Sequence, residues 1–198
     1  MPARTHTVTD SPVGPLTLVA TDGVLSGLYM TEQRHRPAQE EFGPRDDSVG
    51  CFAETARQLE AYFAGELTAF DLPLHLDGTP FQQRVWSALC DIPYGSTLSY
   101  GGLAERLGNP GASRAVGLAN GRNPIGIIVP CHRVVGANGS LTGYGGGLER
   151  KQRLLAFEAG ADTGQPGLFD PDPCWDSASP ASSAGSAVPI GSRTTSSA

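Results

Sequence analysis

Apolar and polar positions alternate through the first thirty residues in three short runs separated by turn signals. Thr7-Val8-Thr9 gives way to Ser11-Pro12-Val13-Gly14-Pro15, then Leu16 to Ala20, then Thr21-Asp22-Gly23, then Val24 to Met30. Runs rich in β-branched residues and bounded by Gly, Pro, Asp and Ser read as strands, so residues 5–30 predict a three-stranded antiparallel meander. Residues 31–48 are polar and broken by Pro37 and Pro44, the pattern of a loop. Between Ser48 and Ala64 the period changes: Phe52, Ala56, Leu59, Tyr62 and Phe63 recur at helical spacing, and Gly65 suits the stop. Phe70 to Leu76 reads as a short strand closing this unit at Asp77-Gly78.

A second unit opens on a helix start signal. Thr79 is a good N-cap, Pro80 fits the first helical position and Gln82 lies three residues beyond the cap. The helix runs through Val85, Trp86 and Leu89 to Cys90 and ends at Asp91-Ile92-Pro93-Tyr94-Gly95. Residues 99–107 predict a short helix, Gly108 to Gly111 a turn, and Ser113 to Asn120 a further helix of mostly small residues, together a candidate helix-turn-helix. Ile125 to Val129 is an apolar, strand-like run leading into Pro130-Cys131-His132, and residues 136–147 hold six glycines. Glu149 to Ala159 predicts a last helix, with Leu154, Leu155 and Phe157 apolar.

Composition divides the chain into three. Residues 1–78 form a small α/β domain and residues 79–163 a mostly helical one, giving an α+β protein. Residues 164–198 collapse into Ser, Ala, Gly, Pro and Thr without a period and are expected to be a disordered low-complexity tail. The net charge of −6 is distributed unevenly: residues 1–79 carry net −7, residues 80–160 net +4 and residues 161–198 net −3. Local charge governs docking on a polyanion, so the positive section is permissive for DNA within an acidic chain. The four cysteines, Cys51, Cys90, Cys131 and Cys174, form no C-x-x-C pair, and adjacent Cys131 and His132 do not chelate one ion readily, so no metal is expected. Met1 to Asp10 lacks the apolar centre of a signal peptide, and no run approaches the roughly 18–20 apolar residues of a membrane span. The expectation is a cytoplasmic protein with free thiols.

A cysteine between an apolar run and a histidine is most often a buried small hydrophobe. Three features favour chemistry at Cys131. The pair sits where a strand-like run meets a glycine-rich loop; Glu158 lies on a helix that could pack back and orient the imidazole; and the glycines would let a planar ligand approach the backbone. The thiolate is the reactive form and needs a base or positive charge beside it, which a Cys-His-Glu relay supplies.

From Asn123 to Gly136, through Pro130-Cys131-His132-Arg133-Val134, the chain resembles the active-site signature of the O6-alkylguanine-DNA alkyltransferases. Further segments resemble that family in order and spacing: Phe81 to Trp86, Ile92 to Gly95, Leu98-Ser99-Tyr100, Ser113 to Gly117, Tyr144 to Leu148 and Leu154 to Glu158. The Ser11-Pro12-Val13-Gly14 turn and its meander resemble the family's N-terminal domain. The resemblance implies a ribonuclease-H-like N-terminal domain and a winged-helix-like C-terminal one. It also implies single-turnover transfer of an alkyl group from O6-alkylguanine, and from O4-alkylthymine, to Cys131 after the base is rotated out of the duplex. It implies that the second helix of the helix-turn-helix enters the minor groove, presenting Ser113, Arg114, Ala115, Gly117, Ala119 and Gly121, with Arg114 filling the gap left by the base. Tyr100 would crowd a phosphate and protonate the leaving oxygen; His132, oriented by Glu158, would deprotonate Cys131 through a water; Asn123 would hold the active-site turn. Val134, Tyr144 and Gly145 would line the base pocket. No cofactor is implied, and a monomer is expected. Some family members carry a structural zinc near the N-terminus, but no cysteine precedes Cys51 here. Two other readings use the same residues: a cysteine hydrolase built on Cys131 and His132, and a non-catalytic lesion-binding module, whose known representatives lack this cysteine.

Overall fold

The computed structural model describes residues 3–160; the expected tail at 164–198 lies outside the described residues. The meander forms as an antiparallel sheet of β1 (Arg4–Thr9), β2 (Leu16–Thr21) and β3 (Val24–Met30), in the order β1-β2-β3. Its β2–β3 hairpin turns on Asp22 and Gly23, at φ 49° and 79°. Both angles are positive, the mirror-image turn whose twist matches that of the flanking strands. Strand β2 is buried along its whole length. One side meets α1 (Gly50–Phe63), and the other is covered by Tyr29 and by Phe42 from a 3-10 turn inside the 31–48 loop.

The strand expected at Phe70–Leu76 does not form. Only Leu74 bridges Leu25, with the His75 amide donating to the Leu25 carbonyl at 2.8 Å. Pro73 has no N–H to offer a ladder, and the backbone at Asp71 is taken by a side chain: Gln58 of α1 donates to its carbonyl at 2.8 Å and accepts from its amide at 2.9 Å.

Helix α2 (Pro80–Cys90) starts as its sequence dictates. Thr79 Oγ1 accepts from the Gln82 amide at 3.2 Å while Gln82 Oε1 accepts from the Thr79 amide at 2.9 Å, a reciprocal cap. Strand β4 (Leu98–Ser99) leads into α3 (Tyr100–Arg106), and a turn through Gly108 leads to α4 (Ser113–Gly121). Helix α4 packs on both α3 and α2, where Trp86 Nε1 donates to the Ala119 carbonyl at 2.9 Å. Strand β5 (Val134–Val135) pairs parallel with β4, and α5 (Leu148–Glu158) closes the described chain. No described helix is long and apolar enough to cross a membrane.

Ile125 to Val129 is buried as expected but is not a strand. It folds into tight turns, with Ile127 at φ 69°. That region is costly for a β-branched residue, so surrounding bonds must over-determine it. Leu28 of β3 supplies some of them: its amide donates to the Pro124 carbonyl at 2.9 Å and its carbonyl accepts from the Gly126 amide at 3.3 Å. These contacts bring the sheet against the segment that carries Cys131, and one continuous apolar cluster runs from Leu16, Leu18 and Phe52 to Trp86, Leu103, Val129 and Leu154.

Candidate active site

The turn before Cys131 is built by Asn123. Its Nδ2 donates to the Val129 carbonyl at 2.8 Å and to Ile125 O at 3.4 Å, and its Oδ1 accepts from the Ile125 amide at 3.0 Å. An amide side chain bridging both ends of a loop this short leaves little freedom at Pro130. Cys131 then opens a 3-10 turn, Cys131–Arg133, and Asn120 Nδ2 donates to its carbonyl at 3.3 Å. The thiol is free and buried. Burial pushes it up from its ordinary value, against the opposing pull of Asn123 and the Lys151 charge. The resting group is therefore the thiol, and a base is needed to make it a nucleophile.

A candidate for that base is next to it in the chain. His132 is fully buried, and its Nε2 lies 2.8 Å from Glu158 Oε1. Glu158 is the acceptor for donors from four residues. Oε1 also receives the Tyr62 hydroxyl at 2.7 Å and Arg133 Nη2 at 2.9 Å; Oε2 receives Arg133 Nε at 2.8 Å and the Gly95 amide at 3.3 Å. Burial alone would raise this carboxyl, but the bonds from His132, Arg133 and Tyr62 hold it down at about 2. An ionised Glu158 needs a proton on Nε2, which assigns the tautomer and leaves Nδ1 as the bare acceptor. Nδ1 has no hydrogen-bond partner among the described residues. Burial, the largest influence on His132, lowers its affinity for a second proton. A neutral imidazole with one free acceptor can take a proton from a thiol.

Cys131 faces a cavity of about 10 Å³, lined also by Gln33, Asn123, Tyr144, Gly145 and Gly146. That is room for about one water. It lies behind a groove of about 520 Å³ between α4 and the glycine-rich loop, lined by Tyr100, Ser113, Arg114, Gly117, Leu118 and residues 142–145, with Arg34 and His35 at its edge. The Arg34 amide donates to the Gly145 carbonyl at 2.8 Å, holding the loop over the thiol. Tyr100 Oη donates to the Thr142 carbonyl at 3.0 Å on the same loop.

Cys131, Asn123, Tyr144 and Gly145 thus meet at the inner cavity, His132 and Glu158 lie bonded beside Cys131, and Tyr100, Ser113, Arg114 and Gly117 meet at the groove. Ala119 does not join them. It is 3% exposed and faces α2, its carbonyl taken by Trp86, because Val116, Ala119 and Asn120 make up the inward stripe of α4. Ala115 is exposed but does not line the groove. Val134 is fully buried behind the inner cavity rather than in its wall, and its carbonyl accepts from Lys151 Nζ.

Residues 80–160 match the family described as 6-O-methylguanine DNA methyltransferase, DNA binding domain, and residues 5–76 match its ribonuclease-like domain. A methylated-DNA–protein-cysteine methyltransferase of Mycobacterium tuberculosis is 57% identical over 161 residues, which cover 81% of this chain and 96% of that protein. The chain belongs to the O6-alkylguanine-DNA alkyltransferase family. A second alkyltransferase relative, from Methanosarcina acetivorans, carries the same name and is 51% identical over 153 residues, 77% of this chain and 97% of its own. The crystal structure of M. tuberculosis OGT in complex with DNA superposes with a TM-score of 0.73 at 57% identity, covering 79% of this chain and 93% of that one. The α+β architecture, a ribonuclease-like unit before a DNA-binding one, is therefore that of the alkyltransferases.

Three residues of this alkyltransferase site escape a reading of the sequence. Arg133 lies inside the signature, yet nothing there shows that its buried guanidinium grips both Glu158 oxygens and the Ile92 carbonyl at 2.6 Å. Lys151 is fully buried; its Nζ donates to the Val134 and Thr142 carbonyls and lies 5.9 Å from the Tyr100 ring centre. Burial brings its ammonium down to about 8. One signal existed: Lys151 is the only lysine in a chain whose other cations are all arginine. Tyr62, from α1, had none, since 96 residues separate it from its partner.

Proposed function

We propose that this chain repairs DNA by moving the alkyl group of O6-alkylguanine onto Cys131, irreversibly and once per molecule. One observation carries the reading: a buried thiol beside a neutral imidazole that is backed by an ionised carboxylate at 2.8 Å, behind a groove walled by an arginine-bearing helix. The relatives named as methylated-DNA–protein-cysteine methyltransferases, and the M. tuberculosis protein solved with DNA, support DNA as the partner.

In this reading α4 docks in the minor groove through Ser113 and Arg114, where Gly117 allows close approach, and Arg114 takes the place of the extruded base. The inner cavity is far too small for a base, so the loop through Gly145 must swing away from Arg34 as the nucleotide enters. His132 Nδ1 accepts the Cys131 proton through one water. The thiolate attacks the alkyl carbon in line; the S–C bond forms as the C–O6 bond breaks, and its electron pair leaves on O6. Tyr100 turns from Thr142 to protonate the departing purine, and Lys151 beside its ring eases that proton transfer electrostatically. The amide of Gly145 and the carbonyl of Cys131 read the base edge. A thioether has no facile reverse, so the protein is consumed; no cofactor takes part. O4-alkylthymine presents the same alkyl–oxygen bond and is a second substrate. The protein acts as a cytoplasmic monomer, and its two working units divide at 78/79.

Duplex DNA bearing a labelled O6-methylguanine tests this. Label should pass to the protein, to a limit of one per chain, and Cys131→Ala should bind the same DNA without taking label. Label released as a small molecule with continued turnover would instead favour a cysteine hydrolase.

A further inference from the structure

The relay at Cys131 is completed from the other half of the molecule. Tyr62 lies on α1, is fully buried, and places its hydroxyl 2.7 Å from Glu158 Oε1, the same oxygen that holds His132 Nε2 at 2.8 Å. The ring is set by aromatic neighbours: Phe63 at 5.1 Å, Phe70 at 5.3 Å, Phe157 at 5.6 Å and Tyr94 at 6.1 Å between centroids. Burial, then the neighbouring carboxylate, raises the phenol well above its ordinary range, so it stays protonated and donates.

Arg133 already fixes the carboxylate from both oxygens, so Tyr62 is not needed to hold it in place. What a further donor on Oε1 does is draw charge from the oxygen that faces the imidazole, because donors that share one acceptor each weaken the others. We propose that Tyr62 is a positioning and tuning residue of the alkyl-transfer relay, acting through Glu158 to restrain the basicity of His132 and keep Cys131 a thiol at rest. The inference rests on the reading of Cys131 as alkyl acceptor. It ties the N-terminal unit to the reaction by one hydrogen bond. The other charged or titratable groups around the pair are Arg133 on the same turn, Lys151 on α5, Tyr94 beside α2 and Tyr144 on the glycine-rich loop.

The test is Tyr62→Phe in the full chain, which keeps the ring and removes only the hydroxyl. Single-turnover methyl transfer from O6-methylguanine duplex DNA is followed from about pH 4.5 to about pH 9, across the limb on which His132 loses its second proton and becomes able to take the thiol's. Without the hydroxyl, His132 becomes the stronger base and draws the thiol proton more readily. The rising limb therefore moves to higher pH by on the order of half a unit, and the plateau above it rises roughly threefold, while rates at the foot of the limb stay the same. The His132 Nε2 proton, seen by NMR, moves to lower field. Tyr29→Phe, which alters a buried tyrosine of the separate cluster around Phe42, leaves both readouts unchanged. A limb that stays in place or moves to lower pH, or an unmoved proton, overturns the proposal and leaves Tyr62 a packing residue. Failure of the wild type to take the methyl group, by contrast, would refute the assignment of Cys131 and not the role of Tyr62 alone.

Discussion

Glu158 is where site chemistry and stability are most closely joined, and Glu158→Gln separates them by pH. The carboxylate is 5% exposed and is held at about 2 against an ordinary 4.5, so the folded state binds its proton much less readily than the unfolded chain does. A carboxyl depressed in this way adds stability that is fully present above its unfolded value and is lost as the pH falls through the folded one. The gap corresponds to roughly 3 kcal/mol at pH 7, falling to about 1 kcal/mol by pH 3. Glutamine copies the protonated acid in shape and cannot offset the buried Arg133 charge, so the variant lacks this contribution at every pH. Urea unfolding of wild type and variant, compared at neutral and acid pH, should show a stability difference of about 3 kcal/mol that shrinks toward 1 kcal/mol at about pH 3. A difference that does not change with pH would show that Glu158 is not held ionised, and the tautomer assigned to His132 would lose its basis.

Asn123→Ala removes three side-chain bonds from the turn that holds Ile127 at φ 69°, and should lower stability by roughly 2–4 kcal/mol in denaturant unfolding. In the proposed docking Arg114 takes the place of the extruded base, so Arg114→Ala should slow methyl transfer by roughly tenfold or more while weakening the binding of undamaged duplex much less; stopped-flow fluorescence of a base analogue at the lesion separates the two. Lys151 is held at about 8 by burial, so its charge opposes folding below that pH. The stability of wild type relative to Lys151→Met should therefore rise between about pH 8 and about pH 10, and thermal unfolding at the two pH values checks the sign.

What could be read from the sequence was what is local. The cap at Thr79 and Gln82 needs only four consecutive residues, and the Asp22-Gly23 turn needs two, so both stand where the pattern places them. The order of Cys131, His132 and Glu158 was legible through resemblance, and their contact through the tendency of a last helix to pack back. The failures have physical causes at longer range. Phe70–Leu76 alternates like a strand, but Gln58 takes its backbone bonds from a helix. Ile125–Val129 is apolar like a strand, but Asn123 folds it into a turn. Ala119 is small like its neighbours on α4, yet the 3.6-residue period turns it inward with Val116, a distinction composition cannot make. Tyr62 carries no mark of its own: its role comes from a partner far away in the chain, and only the packing of α1 against α5 brings it to Glu158.

The central claim is that Cys131 itself receives the alkyl group, once. Peptide mass mapping after reaction with excess O6-methylguanine duplex addresses it most directly. The account predicts that the peptide holding Cys131 gains the mass of one methylene, that Cys51 and Cys90 stay unmodified, and that the yield stops at one methyl per chain. A methyl group on another residue, or guanine formed in excess of protein with Cys131 unchanged, would contradict it.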